Sequence, residues 1–309
     1  MNMHITLRQI EVFAAIARHE NVTRAAGILS MSQSAASSAL VELERQFDCP
    51  LFDRIGKSLR LNSTGRGLLP QAEDMLARAA DIESYLSGGS LGPLAVGATL
   101  TIGNYLATLI VANYLQNNPS SKVQLHVANT ESIVQQLLHY EIDLGLIEGE
   151  ANHPDLMIEP WLDDALVIFC APQHALSQTS SPEIDLLAEQ NWIVREHGSG
   201  TRALFDRIVG QACPNLKVRL ELEHTEAIKR AVESGLGIGC LSRLSLREAF
   251  RRGSLVEIPT PYLDLRRRFY FARHRQRHLS PATRHFLALC RETSGTALGT
   301  DTLELPFIS

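Results

Sequence analysis

The stretch "VTRAAGILSMSQSAASSAL", residues 22–40, decides the fold of the amino-terminal part of this chain. It is crowded with alanine and hydroxyl side chains and almost free of bulk. Ala25, Ala26, Ile28 and Leu29 follow a helical period, with Asn21 or Thr23 as the cap. Ser30-Met31-Ser32 then interrupts the pattern before a second helical run from about Gln33 to Phe47. Two helices joined by so tight a turn make a helix-turn-helix. A helix that enters a major groove about 12 Å wide must be slim on the side that faces the bases. Ser34, Ser37 and Ser38 meet that need and carry hydroxyls for bases or phosphates, while Gln33 can reach a base such as adenine with two bonds.

Outward from this core, Thr6 caps a first helix whose apolar positions are Leu7, Ile10, Val12, Phe13, Ile16 and Ala17, ending near His19 and Glu20. Ala25 and Ala26 allow close packing over the third helix, whose inner face is Leu40, Leu43 and Phe47. On the other side, "LFDRIGKSLRLNSTG" (51–65) reads as an anchor at Leu51 and Phe52, a turn at Ile55-Gly56-Lys57-Ser58 and a short alternating strand at Leu59 and Leu61. This is the wing of a winged helix. Arg24, Arg54, Lys57 and Arg60 surround the groove-facing surface, suited to phosphates or, for the wing, to the minor groove. The expected DNA-contacting set is therefore Thr23, Arg24, Ser32, Gln33, Ser34, Ser37, Ser38, Arg54 and Lys57. A well-packed helix pair with merely solvated serines is the plain alternative. The basic wing, and the helix that follows it, argue against that.

That helix runs from Ser63 to about Leu86, with an apolar stripe through Leu68, Leu69, Ala72, Met75, Leu76, Ala79, Ala80 and Ile82. Pro70 is expected to bend or interrupt its start. A lone helix so striped needs a partner, most simply its copy in a second subunit. Ser87-Gly88-Gly89-Ser90-Leu91-Gly92-Pro93 reads as a hinge. Beyond it, strands at 94–98, 123–128 and 144–147 alternate with helices reaching Asn117 and covering 131–140. A second series has strands at 166–170, 192–194, 218–222 and 238–241 and helices at 204–211, 227–234 and 244–251. A strand at 269–272 and a helix at 281–291 close the pattern. This order implies mostly parallel sheets with ligand sites at the carboxyl ends of the strands. The fold class is thus α/β with an N-terminal all-α winged helix-turn-helix. The domains are a DNA-binding domain over 1–62, a linker helix and hinge over 63–92, a two-lobed domain over 93–293, and a tail over 294–309 that lacks periodicity and is expected to be loose.

The 309 residues carry a net charge of −5, which excludes a protein that coats nucleic acid nonspecifically. Yet up to Arg66 eight lysines and arginines face six acids, so the amino-terminal part alone is basic. Five separated cysteines without a C-x-x-C pair give neither a disulfide frame nor a zinc site. The start "MNMHITLRQI" has no signal pattern, and no apolar run approaches the ~20 residues of a membrane span, so a cytoplasmic location is the default.

The sequence resembles the LysR-type transcriptional regulators over nearly its whole length. The residues that carry the likeness are Leu7-Arg8-Gln9, Phe13, Ala25-Ala26, Ser32-Gln33-Ser34-Ala35, Ser37, Leu43-Glu44, Leu51-Phe52-Asp53-Arg54 and Thr64-Gly65. Asn62-Ser63-Thr64 replaces the family's commoner Thr-x-x linker start, Cys49-Pro50 sits at the wing approach, and the tail is longer than usual. The resemblance implies an effector domain of two Rossmann-like lobes akin to periplasmic binding proteins. It also implies a homodimer or homotetramer on promoter DNA and contact with RNA polymerase. The segments "TLTIGNY", "IEG", "GSGTR" and "TEAIKRAVESGLGIGCLSR" look like the branch associated with sulfur metabolism, including sulfite-responsive members.

Thr99 and Thr101 follow the first strand and open a helix, Asn129-Thr130 does so after the second, and "VREHGSGTRALF" brings Ser199, Thr201 and Arg202 to a third helix start. Backbone N–H groups and hydroxyls at helix starts attract anions, although capping alone explains each threonine singly. The expected effector is a small oxyanion or carboxylate, with no cofactor and no metal. Glu148, at the end of the third strand, would repel it unless the ligand brings a proton, an amino group or a bridging cation. On that reading Glu148 selects a protonated oxyanion or a zwitterion, and hydrogensulfite suits it where sulfate does not. Alternatively Glu148 pairs with Arg195 or Arg202 and only holds the lobes. A small-molecule binding protein or a hydrolase with an accessory helical domain is the rival function, but His197 and Ser199 form no triad and there is no G-x-S-x-G elbow. Gly235-Leu236-Gly237-Ile238-Gly239 follows a helix and precedes a strand, so it is a helix stop and not a dinucleotide loop. Arg266-Arg267-Arg268 reads as a solvated edge strand or a subunit contact. His274 and His278 lack a third metal ligand.

Overall fold

A computed structural model describes residues 4–55, 58–86, 91–149, 151–295 and 299–302, with the side chains of residues 54, 55, 58, 84, 85 and 302 outside the description. The chain divides into two compact units. One comprises residues 1–92 with 274–282, the other 93–273 with 283–309.

In the first unit, α1 (Leu7–His19), α2 (Val22–Ile28) and α3 (Gln33–Phe47) pack around Phe13, Ile16, Ala25, Ala26, Ala36, Leu40 and Leu43. Thr6 caps α1 in a reciprocal capping box with Gln9, Asn21 caps α2 through the Arg24 amide, and Ser32 caps α3 through the Ala35 amide. Of the two candidates for the α2 cap, Asn21 and not Thr23 takes the role. Phe47 departs from expectation: it is half exposed, one turn beyond the buried Leu43. The wing pairs β1 (Phe52–Ile55) antiparallel with β2 (Ser58–Leu61), and Phe52 meets Phe13 edge-on at 5.9 Å. Asn62 then starts α4 (Ser63–Leu86) by accepting a hydrogen bond from the Gly65 amide at 2.9 Å. A side chain at Gly65 would lie 2.3 Å from the Leu51 carbonyl oxygen, so only glycine lets the helix leave so close to the wing. The helix runs unbroken through Pro70, and Arg18 grips the buried Glu73 to hold it against α1.

The second unit is built on a nine-stranded sheet in the order β4 (Val123–Ala128), β3 (Leu94–Thr99), β5 (Leu144–Glu148), β11 (Arg266–His274), β6 (Leu156–Cys170), β9 (Ile238–Ser242), β7 (Asn191–Arg195) and β8 (Lys217–Leu222), with β10 (Val256–Ile258) beside β6. In the first lobe β3 (Leu94–Thr99) lies parallel to both β4 (Val123–Ala128) and β5 (Leu144–Glu148). Its helices are α5 (Leu100–Ile102), continued by a π turn over Gly103–Ala107, then α6 (Thr108–Asn117) and α7 (Thr130–Leu138). The chain next enters β6 (Leu156–Cys170), a 15-residue strand of which only the last third was legible as a strand. The second lobe adds α8 (Ile184–Ala188), β7 (Asn191–Arg195), α9 (Gly200–Phe205), β8 (Lys217–Leu222), α10 (Thr225–Glu233), β9 (Ile238–Ser242), α11 (Arg243–Arg252) and β10 (Val256–Ile258). There β7 is parallel to β8 and β9, while β6 is antiparallel to β9 and β10. Finally β11 (Arg266–His274) returns antiparallel to β5, and α12 (Pro281–Ser294) follows. Each lobe is therefore a parallel core closed by a strand that crosses from the other lobe. Gly235, at φ +77°, ends α10 as a helix stop.

Two expectations fail here. Arg266–Arg268 do not lie on an edge: β11 sits between β5 and β6 in the middle of the sheet. Its alternation leaves Arg266 and Arg268 exposed while burying Arg267. Within the tail expected to be loose from Ser294, Gly299 and Thr300 are packed, because Thr300 finds a buried acceptor. Among the described residues no helix is long and apolar enough to cross a membrane, and no three metal-ligating side chains converge. Cys170, Cys213, Cys240 and Cys290 are free and buried, and Cys49 is free and half-buried.

Candidate functional site

Two surfaces carry chemistry. The first is the amino-terminal face of α3. Ser32, Gln33, Ser34 and Ser38 are exposed there and Ser37 is half-buried, and Thr23 and Arg24 are exposed in the first turn of α2. Ser32 caps the helix by accepting from the Ala35 amide at 3.1 Å, and its hydroxyl also lies 3.0 Å from that of Ser34. Ala36 and Leu40 of the same helix are buried, while Ser34 and Ser38 lie on the side turned away from them. The helix thus presents its slim side to solvent and its apolar side to the core, which is what groove insertion demands. Arg60 is exposed and lies 3.6 Å from Glu20. Arg54 forms part of β1, but its side chain, like all of Lys57, falls outside the described residues.

The second is the cleft between the lobes of the second unit, about 1060 Å³ in volume, whose wall includes Thr130, Glu148, Ser199, Gly200, Arg202 and Arg267. At its base Glu148, 1% exposed, ends β5. Its Oε1 accepts from the Thr101 amide at 2.6 Å and its Oε2 from the Thr201 hydroxyl at 3.1 Å and from Arg267 Nη1 at 2.9 Å. Burial opposes the charge on Glu148. The attraction of Arg267 and Arg195, with hydrogen bonding from Thr101, outweighs that and holds the carboxyl below the ordinary glutamate range. Arg267 in turn donates through Nε to Asp164 at 2.6 Å and through Nη1 to Thr201 at 2.9 Å, and its Nη2 lies 3.4 Å from the Thr101 hydroxyl. The two lobes are joined at this point: Thr101 and Glu148 come from one, Thr201 from the other, and Arg267 from the strand between them.

A second tie lies beside it. Thr130 donates to the Glu148 carbonyl at 3.3 Å and accepts from the Gly200 amide at 3.2 Å. A side chain at Gly200 would stand 2.1 Å from that carbonyl oxygen, so glycine alone permits α9 to abut β5. A third tie links Tyr105 of the first lobe to Glu226 of the second at 2.5 Å, with Lys229 2.6 Å from the same carboxylate.

Of the residues expected in the cleft, Thr101, Glu148 and Thr201 meet directly, and Thr130 and Ser199 are neighbours of the group. The others bond to different partners, Arg202 while still lining the cleft. Thr99 donates to the Leu146 carbonyl at 3.4 Å, and Asn129 caps α7 through the Ser132 amide. Arg202 is tied to Asp206, Glu221 and the Arg195 carbonyl. Neither Arg195 nor Arg202 is the side chain that bonds Glu148: Arg195 pairs with its neighbour Glu196 at 2.7 Å, and Arg267 takes the role. Arg267 and Asp164 are the residues that sequence reasoning missed. Alternation along "RRRFYF" buries the middle arginine only once the strand is known to be interior, which the sequence alone does not show.

A winged helix-turn-helix joined to a two-lobed domain with a polar interlobe cleft has the architecture of a DNA-binding module coupled to an effector-binding one. The chain belongs to the LysR family of transcriptional regulators and is not an enzyme: residues 7–66 match the model of the bacterial regulatory helix-turn-helix protein, lysR family, and residues 87–295 that of the LysR substrate binding domain. It is 41% identical over 288 residues to an uncharacterized HTH-type transcriptional regulator, YeiE, of Escherichia coli K12, covering 93% of this chain and 98% of the relative. A full-length OxyR variant from Pseudomonas aeruginosa has the same fold, with a TM-score of 0.72, 23% identity, and coverage of 99% of this chain and 100% of that one. The regulatory domain of CcmR from Synechocystis PCC6803, solved in complex with 2-PG, aligns with a TM-score of 0.60 and 30% identity over 66% of this chain and 98% of its own.

Proposed function

We propose that this regulator senses hydrogensulfite in the interlobe cleft and thereby alters its grip on promoter DNA in the cytoplasm. The observation that carries the reading is the buried Glu148 held among Thr101, Thr201 and Arg267. The helix-start amide, two hydroxyls and the guanidinium gather around Glu148, an environment that favours negative charge, and Glu148 supplies a strong acceptor at the base of the cleft. A monoprotonated oxyanion can donate its proton to that acceptor while its remaining oxygens face the donors. Sulfate, which has no proton to give near neutral pH, meets a bare carboxylate and is repelled. The 2-PG held by CcmR is likewise a small ligand in a domain of this fold. Thr99, Asn129, Thr130, Ser199 and Arg202 complete the site as the frame that holds the three helix starts in register.

On the DNA side, Gln33, Ser34, Ser37 and Ser38 read bases while Thr23, Arg24, Ser32, Arg54 and Lys57 hold phosphates. Dimerisation through α4 pairs two recognition helices, and a dimer of dimers extends the contact to further grooves and to RNA polymerase. Ligand binding shifts the balance between two lobe arrangements, and with it the spacing of those helices. Calorimetry on the full-length protein tests the effector: sulfite is expected to bind and sulfate to bind more weakly or not at all, and sulfate binding the tighter of the two would refute the selection. A gel shift with the gene's own upstream region tests the target. A small-molecule binding protein lacking this role would leave the fragment unretarded at physiological salt.

A further inference from the structure

In the turn at 299–302, Gly299 and Thr300 pack behind the interlobe site. Gly299 forms a bridge with Asp163 in β6, and the Thr300 carbonyl accepts from Arg247 Nη2 at 2.8 Å. Thr300 itself is 1% exposed, and its hydroxyl donates to Asp164 Oδ1 at 2.8 Å. The same oxygen accepts from the Ser242 hydroxyl at 2.8 Å, and the other oxygen of Asp164 receives Arg267 Nε at 2.6 Å. A chain of buried bonds therefore runs from the tail, through one carboxylate, to the guanidinium that faces Glu148, Thr101 and Thr201.

We propose that Thr300 is a positioning residue for the effector site: the terminal turn acts as a strap that fixes Asp164, and Asp164 aims Arg267. The physical basis is the directionality of a buried carboxylate. Two hydroxyls on Oδ1 fix the rotation of Asp164, so Oδ2 meets Nε along one line and the remaining two nitrogens of Arg267 have only one way to point. Without Thr300 a buried acceptor loses a donor, and Asp164 can turn or draw in water, which loosens the orientation of Arg267. The strap's effect on ligand affinity rests on the effector reading above, while its effect on Arg267 does not.

The test uses the full-length protein and the substitutions T300V, which keeps shape and removes the hydroxyl, and T300S, which keeps the hydroxyl. Hydrogen–deuterium exchange without ligand is expected to accelerate in T300V at β11 around Arg267 and at the start of α9, not only at the tail. Calorimetry with sulfite is expected to show binding weakened about fivefold or more, the effect of one net buried hydrogen bond. T300S should match the parent in both measurements. Exchange changes confined to 299–302 and α11, sulfite affinity of T300V within twofold of the parent, or T300S behaving as T300V would each overturn the proposal. If the parent itself fails to bind sulfite, the effector reading alone falls, and the exchange pattern decides the strap.

Discussion

Arg267 and Glu148 face each other at 2.9 Å, both side chains almost wholly buried, at a point where side chains from both lobes and the strand between them converge. Asp164 holds the same guanidinium from the other side. A buried arginine between two carboxylates is stable only as a complete set, since removing one member strands a charge away from water. R267M is therefore expected to destabilise the second unit by about 3–5 kcal/mol, because it leaves two carboxylates without their cation. The denaturant midpoint of the full-length protein measures this; a midpoint like the parent's would mean the carboxylates find water or protons at little cost.

The pH dependence follows from the direction of the Glu148 shift. A carboxyl held below its ordinary range in the folded state contributes stability that is complete above the unfolded value, near 4.3, and is lost as pH falls through the lower folded value. E148Q should accordingly be less stable than the parent at pH 7, and the gap should narrow as pH falls from about 5 toward the acid limit of folding. Urea titrations of both proteins across that range report it. A gap that does not change with pH would show that the side chain's charge contributes nothing.

Gly200 supplies a steric prediction. The methyl group of G200A would be 2.1 Å from the Glu148 carbonyl oxygen and 3.1 Å from the Thr130 hydroxyl, and the nearer atom is backbone that cannot swing aside. The substitution should force α9 away from β5, break the Thr130 tie and weaken sulfite binding at least tenfold, while DNA retardation without ligand persists. Calorimetry paired with a gel shift distinguishes this from general unfolding, which would abolish both.

Much of this was legible in the chain. The helix-turn-helix follows from Asn21, Ser32 and the apolar period, which are local signals, and Gln33–Phe47 is helical end to end for that reason. The helix starts at Thr101 and Thr201 and the strand end at Glu148 were readable from strand-helix alternation. Their convergence depends on how two lobes meet. The partner of Glu148 was not readable, because pairing it with Arg267 requires knowing that β11 runs in the middle of the sheet, a contact 119 residues away in sequence. The first ten residues of β6 were missed because "LMIEPWLDDA" mixes acids and a proline into a strand that only tertiary context buries in part. The docking of Thr300 has no local signature at all, since a threonine among Gly, Asp and Leu reads as coil until Asp164 is seen beneath it.

On the DNA face, base reading and phosphate holding should separate experimentally. Q33A is expected to weaken binding to the cognate promoter by about 1–3 kcal/mol, with the loss concentrated at one base position and the salt dependence unchanged. R24A should weaken binding to all sequences alike and lower the slope of log affinity against log salt by about one. Titrations at several salt concentrations with cognate and scrambled duplexes read both effects, and equal losses on both duplexes for Q33A would remove it from the base-reading set.

The linker helix gives the last test. Met75, Ile82 and Leu86 of α4 are exposed, Ile82 at 61%, while Ala72 of the same helix is buried against the winged-helix core. An apolar stripe with one part packed and the rest open to water is stable only if a second surface covers it, and each apolar side chain so covered contributes about 1.5–3 kcal/mol when burial is complete. I82E would place a charge on that stripe in each of two paired copies. It should raise the dimer dissociation constant by at least tenfold, which sedimentation velocity across a concentration series measures, without lowering the helical content seen by circular dichroism. A variant that remains as fully dimeric as the parent at low micromolar concentration would show that α4 does not carry the contact, and the pairing of recognition helices would then need another surface.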